Sequence, residues 1–181
     1  MHEQEKVNEA KYFYSRMLSE IDNRENFLFN LSAFLSSARS VLQYALKEAR
    51  TRSGGQQWYD GHINASPTLS FFKDKRDINI HTQPIDIRQN INIEITDRLY
   101  ISDSVSIRVT DKDGKVVSEH TSEPAPPPPR EADIPPKVSN QFTFPDWPGP
   151  EDVPGLCRLY LDELVRIVAD GQAKGFLTNP P

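Results

Sequence analysis

The apolar positions of this chain repeat at helical spacing up to about residue 83, alternate with a period of 2 from about 90 to 120, and return to helical spacing after Asp152. From about Glu3 to Ile21 the repeat is Val7, Ala10, Phe13 or Tyr14, Met17 and Ile21, which predicts an amphipathic helix with its polar remainder in water. Asp22-Asn23-Arg24-Glu25 then has the form of a capping box, a carboxylate at the N-cap and a glutamate three residues on. The helix it starts carries one stripe of Phe27, Leu31, Phe34, Leu35, Ala38, Val41, Leu42 and Ala45. With roughly 28 residues it spans about 40 Å before Gly54-Gly55.

Residues 54 to 65 show no stripe and predict a loop, its Trp58 and Tyr59 packed down on the helices. Ser66-Pro67 opens a third helix, with serine at the N-cap and proline at the first helical position. Leu69, Phe71, Phe72, Ile78 and Ile80 are its apolar residues, and Pro84 disfavours helix at Gln83, so the helix ends near His81. Ile91, Ile93 and Ile95, and then Val105, Ile107 and Val109, alternate with polar residues as half-buried strands do. Asp111-Lys112-Asp113-Gly114 is a turn signal before Val116-Val117, which completes a three-stranded antiparallel meander. The Asp111/Asp113 pair lacks the bidentate glutamate and the other ligand positions of a calcium loop.

Ten of the fifteen prolines fall in residues 123 to 151, including the run Pro126 to Pro129, so this stretch predicts an extended arm that is neither helix nor central strand. Phe142, Phe144 and Trp147 are aromatic anchors that would fasten it to the helices. A PxxP-type partner site is the alternative. The last helix begins at Asp152 with a stripe of Leu156, Tyr160, Leu164, Ile167 and Val168 and stops at Gly171 or Gly175. The predicted fold is therefore mainly α, a four-helix bundle with an inserted three-stranded β-meander and a proline-rich arm. Its divisions are 1–88 (bundle core), 89–122 (meander), 123–151 (connector) and 152–181 (final helix and tail).

Within this frame, Arg76-Asp77-Ile78-Asn79-Ile80-His81 places a fixed cation, a carboxylate and an imidazole close together. Asp77 and His81 are four apart on a helix, so the carboxylate can orient the imidazole and favour its charged form. Arg76 and His81 are five apart, about 140° around a regular helix, and meet on one ligand only if the helix ends early, Arg76 reaches around, or a second subunit contributes. The same residues would also serve as a plain helix end, where histidine interacts favourably with the dipole.

An arginine, then Asp, three residues and a histidine, at the end of a helical bundle with aromatic-rich earlier helices, resembles the HEPN superfamily (higher eukaryotes and prokaryotes nucleotide-binding domain). The resemblance covers roughly residues 3 to 83 and 152 to 175. It implies a HEPN-like bundle that forms a homodimer through the motif-bearing face and cleaves RNA without a metal or cofactor. It assigns Arg76, Asp77 and His81 as the catalytic residues: His81 as general acid or base, Arg76 on the scissile phosphate, and Asp77 setting the tautomer of His81. The products would carry 2′,3′-cyclic phosphate ends. Lys73, Lys75, Arg39, Trp58 and Tyr59 are further candidates for substrate contact, the lysines and Arg39 on phosphate and the rings on a base. For Arg39 a solvated surface role is the competing reading, as it is for His62.

Charge and composition narrow the classes further. Residues 1 to 90 hold twelve Lys/Arg against eleven Asp/Glu, and residues 91 to 181 hold nine against fifteen, so there is no polybasic footprint for long nucleic acid. A substrate bound elsewhere, or presented by a protein partner of antitoxin type, fits better. Cys157 stands alone, which excludes an internal disulfide and a cysteine-rich zinc site and suits the cytoplasm. No apolar run reaches membrane-spanning length. Glycine-rich phosphate loops, GxSxG elbows and CxxC pairs are also missing. The alternative to an enzyme is a non-catalytic helical dimer that binds a protein partner or a nucleotide.

Overall fold

The structure is a computed structural model that describes residues 2–81, 86–95, 104–124 and 136–179, with the side chains of Asp74 and of residues 76–81 outside that set. Among the described residues the elements are α1 (His2–Ser19), α2 (Arg24–Ala49), α3 (Gly55–Ala65), α4 (Pro67–His81), β1 (Arg88–Glu94), β2 (Ser106–Thr110), β3 (Val116–Thr121), β4 (Lys137–Thr143) and α5 (Val153–Ala173). The expected four-helix bundle with a three-stranded meander is corrected to five helices and two small two-stranded antiparallel sheets, a mixed α/β arrangement.

Two local causes explain the correction. Residues 55 to 65 are helical where a loop was expected, because Tyr59 and Ile63, four apart, are both buried against the bundle. Gly54 (φ +78°) turns the chain out of α2, and a Cβ on Gly55 would lie 1.9 Å from the Ala49 carbonyl oxygen, so this sharp entry requires glycine. Secondly, β1 pairs with β4 and not with β2. The proline-rich arm thus contributes a strand, and Lys137–Phe144 is the proline-free window that permits it.

Phe142 and Phe144, two apart on and beside β4, are both buried. Phe142 stacks on Phe27 of α2 with ring centroids 4.0 Å apart, and Gln89 Nε2 donates to Asn140 Oδ1 across the β1–β4 pair at 2.8 Å. Asn140 Nδ2 in turn donates to Asp22 Oδ1 at 3.1 Å. That bond accounts for a further correction: Asp22 is engaged by β4, and the N-cap of α2 is Asn23, whose Oδ1 accepts from the Asn26 N–H at 3.1 Å.

The core is the meeting of these apolar stripes around Tyr160 of α5. Phe72 of α4 stacks on Tyr160 at 4.4 Å, and Phe34 of α2 meets it edge-on at 6.2 Å. Asp152 caps α5 as expected, accepting from the Gly155 N–H at 2.8 Å, and Gly175 follows its end with φ +76°.

The chain divides into two compact units, residues 1–92 with 139–181, and residues 93–138. The second contains the β2–β3 hairpin, paired from Ser106↔Thr121 to Val109↔Ser118 with a bulge before Thr110↔Val116. Asp111 Oδ1 accepts from the N–H groups of Asp113 and Lys115 at 3.0 and 2.9 Å, so this aspartate builds the turn. Its strands were expected to be half-buried, but every residue of β2 and β3 is exposed. No helix among the described residues is long and apolar enough to cross a membrane.

Candidate functional site

The motif helix is held firmly along its first half. Ser66 Oγ accepts from the Leu69 N–H at 3.2 Å, the cap expected from sequence. Leu69 and Phe72 are fully buried, and Phe71 meets Phe144 and Trp147 edge-on at 5.4 and 5.0 Å. Lys75 completes the anchor. Its ammonium lies 5.4 Å from the ring centres of both Phe71 and Phe144 and pairs with Asp146 Oδ1 at 2.7 Å. Lys75 was a candidate phosphate contact with Lys73; the structure instead buries it, 8 % exposed at the side chain, while Lys73 faces solvent.

Beyond Lys75 the backbone continues as α-helix through His81, so positions 77 and 81 are one turn apart and positions 76 and 81 five residues apart. The side chains of Arg76, Asp77 and His81 lie outside the described residues, and so does the helix stop expected at Thr82-Gln83-Pro84.

Trp58 and His62 are brought together with Asp170, Lys174 and Phe176, and Tyr59 separately with Arg39. Trp58 Nε1 donates to Asp170 Oδ2 at 2.7 Å, His62 Nε2 lies 3.0 Å from the same oxygen, and Lys174 Nζ pairs with it at 2.9 Å. These contacts, the indole N–H first, hold the Asp170 carboxyl well below the usual carboxylate range. The Trp58 ring stacks on Phe176 at 5.2 Å. With its N–H on Asp170, Phe176 stacked on it and His62 against it edge-on, Trp58 ties α3 to the end of α5.

Tyr59 is 6 % exposed, and burial pushes its phenol up while the neighbouring Arg39 guanidinium acts against that shift. Arg39 is half-buried, contrary to a solvated surface role. His62, also expected at the surface, is instead bound to Asp170. Trp58 and His62, and Tyr59 and Ile63, are i,i+4 pairs, the one signal by which sequence could have found α3 and its acid partner's side.

Elsewhere, a groove of about 430 Å³ runs between α1 and α5, lined by Tyr14, Leu18, Leu161 and Val165 with Lys11, Arg158 and Asp162 at its edges. It holds none of the site residues named from sequence. Among the described residues no group of three or more His, Cys, Asp or Glu is placed to hold a metal ion. Comparison with protein-family models, with characterised proteins and with solved structures finds no match.

Proposed function

We propose that this chain is a HEPN-like endoribonuclease that acts as a homodimer and cleaves RNA without a metal. The observation that carries the reading is the build of α4: its first half is locked into the core by Leu69, Phe72 and the Lys75–Asp146 pair, and its last two turns carry Arg76, Asp77 and His81 as continuous helix. A rigid stem that delivers a histidine and an acid one turn apart is what acid/base work on a ribose 2′-hydroxyl requires. In this mechanism His81 moves the proton at the 2′-oxygen or the leaving 5′-oxygen. Arg76 offsets the charge gathering on the phosphate, and Asp77 holds the imidazole in register. Action in the cytoplasm, on a structured RNA and under restraint by a protein of antitoxin type, belongs to the same proposal.

The test compares wild type with His81→Ala on total tRNA, with mass measured by light scattering. Loss of cleavage with an unchanged dimer supports the enzyme. Wild-type protein that leaves every RNA intact overturns it. A second reading, a non-catalytic dimer that captures a protein, is favoured by the apolar residues Val105, Ile107 and Val109, which stand 57, 55 and 51 % exposed in the hairpin unit.

A further inference from the structure

Three cations of the first unit are buried or half-buried among the described residues: Lys75 pairs with Asp146 and Lys6 with Glu9, whereas Arg39 makes no ion pair with any described carboxylate. Its Nε and Nη1 atoms are buried and have no hydrogen-bond partner among the described residues. Buried donors on a permanent cation are costly when unpaired, and native proteins pair nearly all of them. Arg39 sits on α2 directly after the core residue Ala38, so the side chain is carried there by the helix and is not a stray surface group.

Its surroundings add a direction. The Tyr59 phenol is hydrogen-bonded to the Arg39 guanidinium, with the charges of Asp60 and Arg50 also acting on it. The neighbouring acid, Asp60, is occupied: Gln56 Nε2 donates to both its oxygens at 2.9 and 2.8 Å, and Gln56 Oε1 accepts from Arg50 Nε at 2.5 Å. Two guanidiniums against the single carboxylate of Asp60 leave net positive charge beside the phenol, and the unpartnered Nε–H and Nη1–H groups of Arg39 match the oxygens of a phosphate.

We propose that Arg39, with the Tyr59 hydroxyl beside it, forms a binding subsite for an oxyanion of the phosphate class between α2 and α3. The subsite is independent of the α4 motif and of the cleavage reaction proposed for it.

The experiment measures thermal unfolding of the full chain with and without inorganic phosphate at matched ionic strength in sodium chloride. Phosphate raises the Tm of wild type by roughly 2 to 4 °C, the shift that a modest binding energy gives a chain of this size. It leaves Arg39→Met unmoved and gives Tyr59→Phe a smaller shift. Equal shifts in wild type and Arg39→Met, or none in wild type, overturn the proposal. Should Arg39→Met fail to fold, the Arg39 Nε–H resonance of wild type decides: saturable movement with phosphate supports the subsite, and a fixed resonance overturns it.

Discussion

Trp58 and Asp170 stand 112 residues apart in the chain and 2.7 Å apart in space, the indole N–H donating to Asp170 Oδ2. The same oxygen takes His62 and Lys174, so one carboxylate ties α3 to the last turn of α5. Past that turn the tail folds back: Leu177 is buried, and the Thr178 N–H donates to Glu48 Oε1 on α2 at 2.7 Å. The segment that follows α5 is thus fastened to two earlier helices through Phe176 and Thr178.

This carboxylate makes stability depend on pH in a definite sense. The folded Asp170 carboxyl titrates below its unfolded value of about 3.9, so its contribution is present above about pH 4 and is lost as pH falls toward the folded value. Asp170→Asn is expected to cost about 1 to 2 kcal/mol at pH 7. Urea unfolding of both proteins from pH 7 to pH 2 checks it: the gap narrows below pH 4, and a gap that holds constant contradicts the assignment.

Gly171 lies under the same junction. A Cβ there would come within 2.7 Å of Leu177 Cδ1 and 2.8 Å of Trp58 Cη2, so Gly171→Ala forces the tail or the indole to move. The expected loss is about 1 to 3 kcal/mol, the usual cost of overpacking, accompanied by a change in Trp58 fluorescence. An unchanged Tm would show that the tail does not pack there.

How much of this was legible in the chain depends on the distance between partners. α1, α2, α4 and α5 were readable because each carries its own apolar stripe, and Ser66 and Asp152 are caps that act within three residues. α3 was missed because only Tyr59 and Ile63 mark its buried side in an otherwise polar stretch. The β1–β4 pairing was hidden for another reason. Alternation shows that Ile91 and Ile93 lie in a strand but cannot name the partner, and Gln89 meets Asn140 from 51 residues away. The candidate site divides in the same way: the α4 motif is contiguous and so legible in the chain, while Asp170 reaches His62 across 108 residues and leaves no local trace.

The Lys75–Asp146 pair predicts an asymmetry between two substitutions. Asp146→Asn leaves a buried ammonium without its counter-charge and is expected to cost about 1 to 3 kcal/mol. Lys75→Met removes the charge and keeps the packing on Phe71 and Phe144, so it should cost less than about 1.5 kcal/mol. Denaturant titration of both proteins gives the order. If Lys75→Met proves the more damaging, the lysine is held by something other than this pair.

The central claim is that α4 presents a working histidine to RNA, and the chemistry of the cut ends tests it most directly. Wild-type protein incubated with tRNA in excess chelator should release fragments ending in 2′,3′-cyclic phosphate, with His81→Ala slower by about 100-fold or more. Fragments ending in a 3′-hydroxyl, or an equal rate from the alanine variant, would contradict it.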